Sequence, residues 1–187
     1  AGRYGKSVLL LERNPRLGRK LLITGKGRCN ITNNCDINGL IANIPRNPRF
    51  LYSAFHNFSS EDTISFFENL GVPVKTERGN RVFPQSDRAL DVANALEREL
   101  RLLKVEIRTE RALQLLLDGG HVTGVRCESG SEYLASSVII ATGGKSYPLT
   151  GSTGDGYELA KQAGHSIVPL TPSLIPVLTE ETDVKEM

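Results

Sequence analysis

The chain has 187 residues, 39% hydrophobic and 24% charged, enough for one domain with a packed core, or one domain and the start of another. Its 23 basic and 21 acidic side chains leave a net charge of +2, which gives no reason to invoke nucleic acid or an anionic membrane. No apolar stretch is long enough to span a bilayer. Cys29, Cys35 and Cys127 are an odd set without zinc spacing, which excludes a disulfide framework and a metal site and points to a reducing cytoplasm.

In chain order, Ala1 to Gly5 is no signal peptide, because no apolar run follows a charged one. It reads as the tail of an element already under way. Ser7 to Glu12 is a short apolar run closed by an acid, which predicts a buried parallel strand. Residues 13–49, rich in Gly, Asn, Arg and Pro, read mostly as loop with a helical turn near Arg16 to Leu21. A loop of that length in a compact domain is usually functional. Helical pattern resumes over Phe50 to Phe55. Ser59-Ser60-Glu61-Asp62 opens a helix through Leu70, and Gly71 ends it. Val72 to Lys75 and Arg81 to Phe83 flank a hairpin turn at Glu77 to Asn80. Ser86 or Asp87 caps a helix reaching Leu103, with an apolar stripe of Ala89, Ala93, Leu96, Leu100 and Leu103. A strand at Val105 to Arg108 precedes a small antiparallel meander over Ala112 to Leu134. Ser137 to Ile140 is predicted to return to the buried sheet and run into Thr142-Gly143-Gly144. A helix follows from Gly154 to Gly164. The prolines at 169, 172 and 176 read as a crossover into another domain.

Three constellations carry chemistry. The first is Glu12, with Arg13 beside it. An acid ending a strand of a dinucleotide-binding α/β fold accepts hydrogen bonds from ribose hydroxyls. The second is Gly18 to Asn33. Gly25 and Gly27 let backbone approach a ligand, Lys20, Lys26 and Arg28 add positive charge, and Thr24, Asn30, Thr32 and Asn33 add neutral polar groups. That mixture suits a polyhydroxylated anion such as a flavin with its pyrophosphate. The third is Ala141-Thr142-Gly143-Gly144-Lys145 together with Gly151 to Tyr157. Its glycines allow main chain to pass close to a cofactor, and the helix behind Gly154 to Gly156 presents N–H groups. Asp155 suits a hydroxyl donor better than a phosphate, and a capping role is equally open to it. Cys29 reads as a small packed residue before a redox group. His56, His121 and His165 are isolated, and Tyr147 and Tyr157 suit packing as well as a site.

Together these segments, VLLLERNPRLGRKLLITGKGRCNITN from Val8 and ATGGKSYPLTGSTGDGYELAKQAGHSIVPLTPSLIPV from Ala141, resemble the family of YhiN-like or BaiN-like flavoproteins, NAD(P)/FAD-dependent oxidoreductases. The resemblance implies an α/β, Rossmann-like FAD domain of the glutathione-reductase type with a small antiparallel meander. It puts Glu12 on the adenosine ribose. It puts Lys20, Thr24, Gly25, Gly27, Arg28, Cys29 and Asn30 along the pyrophosphate, ribityl and flavin. Thr142, Gly143 and Gly144 fall on the adenosine diphosphate side, Asp155 on the flavin side and Ala112 on the adenine. The implied function is hydride transfer between a reduced nicotinamide and a small organic substrate. An oxygen-using oxidase and a non-catalytic flavin module are the alternatives.

Relative to that family, the first strand and its Gly-x-Gly-x-x-Gly loop are missing. The expectation is therefore a partial FAD domain over residues 1–168, incomplete at both ends, with residues 169–187 starting the passage to a substrate-side domain. As such it is expected to bind FAD weakly or not at all.

Overall fold

The computed structural model describes residues 1–172. A 3-10 turn at Gly2–Tyr4 leads into β1 (Leu9–Glu12). A kinked 3-10 segment, Leu21–Gly27, is followed by β2 (Thr32–Asn33) and α1 (Ile37–Ala42). A 3-10 turn at Pro48–Leu51 continues into α2 (Tyr52–Asn57), then α3 (Ser60–Asn69). Next come β3 (Val74–Glu77), β4 (Arg81–Pro84), α4 (Ala89–Leu102) and β5 (Glu106–Thr109). The meander is β6 (Ala112–Asp118), β7 (His121–Cys127) and β8 (Glu132–Leu134), and α5 (Asp155–Gln162) closes the described chain.

β1 and β5 pair in parallel, Leu9 opposite Glu106 through Glu12 opposite Thr109. A parallel pair needs a long crossover, and here everything from Arg13 to Val105 lies within it. That crossover carries its own antiparallel sheet, ordered β2-β4-β3. The meander is ordered β6-β7-β8. The described residues thus form an α/β fold, a parallel pair with a long crossover, with an antiparallel meander appended.

Two cores hold these layers. In one, Cys29, Val72, Ala89, Val92 and Ala95 are buried, with Leu21, Leu22, Ile31, Phe67 and Leu70 packed on them. This core clamps the 3-10 segment between α3 and α4. Burying a side chain as completely as Val92 contributes roughly 1.5–3 kcal/mol. In the other, Leu115, Val125 and Leu159 are buried against Leu11, Val122, Tyr133 and Val138. This second core brings β1, the meander, α5 and the extended segment at Val138 together, and so sets the ends of all four side by side.

The α3 boundaries follow the expected signals. Ser59 Oγ accepts from the Asp62 N–H, and Asp62 accepts from the Ser59 N–H, a reciprocal capping box.

Several expectations are corrected. β1 is half-buried rather than buried, because among the described residues it pairs with β5 alone. Residues 13–49 contain a 3-10 segment, a strand and a helix. Their short polar elements lack the periodicity that reveals longer ones, and Asp36 caps α1 by accepting from the Gly39 N–H. Neither Ser86 nor Asp87 caps α4, whose first position follows Arg88, and no side chain caps it. On α4 it is Ala89, Val92, Ala93 and Ala95 that are buried, while Leu96, Leu100 and Leu103 are only partly covered. Small side chains sit innermost because the 3-10 segment packs closely on that face. Ser137 to Ile140 is extended but is not a strand, and Ile139 is 82% exposed. No neighbouring strand hydrogen-bonds to it among the described residues. The predicted crossover at residues 169–187 lies, from 173 on, outside the described residues.

Candidate functional site

The carboxyl end of β1 gathers the first and third constellations. Glu12 Oε1 accepts from the Asn14 backbone N–H at 2.8 Å and from Asn14 Nδ2 at 2.7 Å. Asn14 Nδ2 also donates to the Thr150 carbonyl at 3.1 Å, tying β1 to the loop before α5. Glu12 is therefore oriented through one carboxylate oxygen, and Oε2 has no partner among the described residues. Arg13 Nη1 donates to Thr153 Oγ1 at 2.7 Å and to Asp155 Oδ2 at 3.3 Å. Lys20 Nζ donates to the Ser146 carbonyl at 2.8 Å and lies 4.5 Å over the Tyr147 ring.

Asp155 is the first residue of α5, after the cap at Gly154. Arg111 grips it with two bonds, Nε to Oδ2 at 2.8 Å and Nη2 to Oδ1 at 3.1 Å. Hydrogen bonding from Arg111, helped by Thr153 and the charge of Arg13, holds its carboxyl below the usual carboxylate range. Asp155 is thus an ion-paired first-turn acid, and not the helix cap.

The glycine turns pack against one another. A Cβ on Gly151 would sit 2.7 Å from Asn14 Nδ2, and one on Gly154 would sit 2.6 Å from Lys145 Cε. A Cβ on Gly156 would collide with Thr142 Oγ1. Gly144 faces the Tyr157 hydroxyl, 3.4 Å from where a Cβ would be. The glycines leave room for the Asn14, Lys145 and Thr142 side chains to pack over them, and the two motifs form one surface with Thr142 and Gly143 exposed on it. Ala112 opens β6 next to Arg111, paired with Cys127 across the ladder.

The second constellation is organised differently from what its composition implies. Gly25, Lys26, Gly27 and Cys29 all have φ between 56° and 85°. Thr24 Oγ1 donates to the Leu21 carbonyl, and the Cys29 N–H to the Thr24 carbonyl. The Cys29 side chain is 2% exposed within the first core, and burial pushes its thiol up from the ordinary value. Its side chain is a packing group, in line with the reading of Cys29 as a small packed residue. Arg28 does not point free either: it pairs with Glu77 and Asp87 and lies over Phe83. Asn30, with its amide oriented to satisfy its neighbours, donates to the Val82 and Thr32 carbonyls and clips β2 to β4. The backbone of Thr24 to Gly27, with Lys26 exposed beside it, and the exposed Asn30 remain available to a ligand.

An open cleft of about 550 Å³ lies just beyond this loop, lined by Asn34 to Asn38, Tyr52, His56 and Ser59 to Glu61. His56 stacks on Tyr52 there, with ring centroids 4.5 Å apart. His121 and His165 are exposed. Asn14, Lys75, Glu77, Asp87 and Arg111 were not legible as site residues. Their partners are distant in sequence, and only Asn14, two places after Glu12, carried a positional hint. Among the described residues no cluster of His, Cys, Asp and Glu is arranged to hold a metal, and no helix is long and apolar enough to cross a membrane.

Known proteins resemble this chain along its length. The HI0933-like protein Rossmann domain matches residues 1–187. A Clostridium scindens protein named 3-dehydro-bile acid delta(4,6)-reductase is 36% identical over 90% of this chain and 40% of its own length. Proteins named ribosomal RNA dihydrouridine synthase are 30% identical in Escherichia coli, over 100% of this chain and 46% of their own, and 29% identical in Haemophilus influenzae, over 97% and 45%. The chain spans less than half the length of these curated relatives. With the whole chain matched, and the parallel pair and its crossover in place, this protein belongs to the HI0933-like Rossmann domain family.

Proposed function

We propose that this chain is the FAD-binding part of an oxidoreductase that moves a hydride between a reduced nicotinamide and a small organic substrate. The observation that carries this reading is the meeting of Glu12 with the glycine turns at Gly143–Gly144 and Gly151–Gly156, beyond the carboxyl end of β1. Ligands of α/β folds bind at that end of the strands.

The residues fit the group. Glu12, aimed by Asn14, keeps an oxygen for a ribose hydroxyl. The glycine turns bring main chain together with the Asn14, Thr142 and Lys145 side chains to this end of β1, where a diphosphate or ribityl chain would lie. Lys20, without a carboxylate partner among the described residues, brings positive charge toward the same end, which a diphosphate needs. Thr142 and Gly143 would lie along the diphosphate, Ala112 near the adenine, and the backbone of Thr24 to Gly27 against the ring. Asp155, kept ionised by Arg111, would accept from a ribityl hydroxyl. Bound flavin supplies the redox chemistry, and these residues bind and orient it and hold water away. Residues 1–168 would form the cofactor domain and those from 169 the passage toward the substrate side. The free cysteines suit a reducing cytoplasm.

The reductase named in the 36% identical relative favours a small-molecule substrate. The names of the other two relatives favour a second reading, an RNA substrate. The test is to mix holo-protein with NADH or NADPH without oxygen and follow the visible flavin band. Bleaching that a steroid enone reverses supports the first reading, and reversal by ribosomal RNA alone supports the second. Fast recovery in air with peroxide marks an oxidase, and no bleaching marks a non-catalytic flavin module.

A further inference from the structure

Arg28, Lys75, Glu77 and Asp87 form a closed quartet of two cations and two anions. Arg28 Nε donates to Asp87 Oδ1 at 2.8 Å, and its Nη2 donates to Glu77 Oε1. Lys75 Nζ donates to Asp87 Oδ2 and stands 3.4 Å from Glu77 Oε1. The four come from three pieces of chain: Arg28 from the glycine loop, Lys75 and Glu77 from β3, and Asp87 from the turn before α4. Their side chains are between 30% and 42% exposed, so the pairs contribute little to global stability.

What they hold is a strained path. Lys26, Cys29 and Asp87 are non-glycine residues with φ of 58°, 62° and 55°. Such conformations persist only where their surroundings over-determine them. The quartet also presses the Arg28 guanidinium onto the Phe83 ring, 4.1 Å from its centroid. Phe83 in turn backs Gly25, where an added Cβ would lie 3.0 Å from Phe83 Cε1. A chain of contacts therefore runs from Asp87 and Glu77 through Arg28 and Phe83 to the backbone at Gly25.

The geometry points to Lys75, Glu77 and Asp87 as positioning residues that fix the Gly25–Gly27 backbone against the flavin. This rests on the FAD reading above. It also gives Arg28 a different part from that of an electrostatic partner of the ring, since two carboxylates already neutralise it.

The experiment uses the full-length holo-protein and four variants: Asp87→Asn, Glu77→Gln, Lys75→Met, and Arg126→Gln as a control that breaks an exposed pair on the meander. FAD dissociation constants, the visible flavin spectrum and the flavin reduction potential are read for each. Asp87→Asn and Glu77→Gln are expected to weaken FAD by about tenfold and to change the spectrum and potential together. Lys75→Met is expected to weaken FAD as the carboxamide variants do, and Arg126→Gln to stay within about twofold of the parent. If Asp87→Asn does not fold, Glu77→Gln alone decides. FAD affinity and spectrum unchanged in the foldable carboxamide variants, or an equal loss in Arg126→Gln, overturns the inference while leaving the FAD reading intact. Failure of the parent protein to take up FAD overturns both.

Discussion

At the scale of single residues, ion pairs decide which side chains a ligand can use. Asp155 illustrates this. Its carboxyl is held below the ordinary range by Arg111, so it contributes stability above the unfolded carboxylate pKa, and that contribution is lost as pH falls through the depressed folded value. Asp155→Asn is expected to cost roughly 1–2 kcal/mol at neutral pH. The gap in melting temperature between parent and variant should close as pH drops below about 4. A gap that is constant with pH would show that the Arg111 pair is not its source. Glycine gives a second case. Gly25→Ala must accept φ +56° and a Cβ 3.0 Å from Asn30 N and Phe83 Cε1, and is expected to destabilise by roughly 1–2 kcal/mol in denaturant unfolding. Glu12, Gly25 and Asp155 stood out in the sequence because acid, glycine and position made an unusual combination. Arg28 and Cys29 stood out for the same reason, but Cys29 is buried and Arg28, partly exposed, is held by two carboxylates. Composition records which groups are present and not which way a kinked loop aims them, and here Glu77, Asp87 and the first core claimed both side chains.

Elements with strong local signals were legible, and elements held by distant contacts were not. The Ser59–Asp62 capping box marks the start of α3 in four residues. Ser59→Ala is expected to cost about 1 kcal/mol in chemical unfolding without changing the dependence on denaturant. The hairpin of β3 and β4 and the meander were equally visible, since turn residues punctuate alternating apolar runs. β2 and α1 were not, because a two-residue strand and a six-residue helix are too short to show a period. The start of α4 misled for a different reason: Asp87 looks like a cap, but it serves Arg28 and Lys75 instead. Ser137 to Ile140 misled because an apolar run alone does not supply a partner strand, and a strand exists only through its ladder.

For the whole molecule, the second core is what turns separate motifs into one site. Leu11 on β1, Leu115 and Val125 in the meander, Val138, and Leu159 on α5 pack together, and the polar ends beyond them meet. Glu12 and Thr150, like Arg13 and Asp155, are far apart in sequence and are joined only by that packing. The resemblance read from two sequence segments named the family, and the match over the whole chain bears it out. The central claim is that this junction grips the adenosine side of FAD, with Glu12 on its ribose. Its most direct test is titration of flavin-free protein, parent and Glu12→Ala, with FAD and with FMN, which lacks the adenosine. The account predicts that Glu12→Ala weakens FAD by about tenfold or more, some 1.4 kcal/mol, and leaves the weaker FMN binding unchanged. Equal FAD affinity in parent and variant, or an equal loss for FMN, would contradict it.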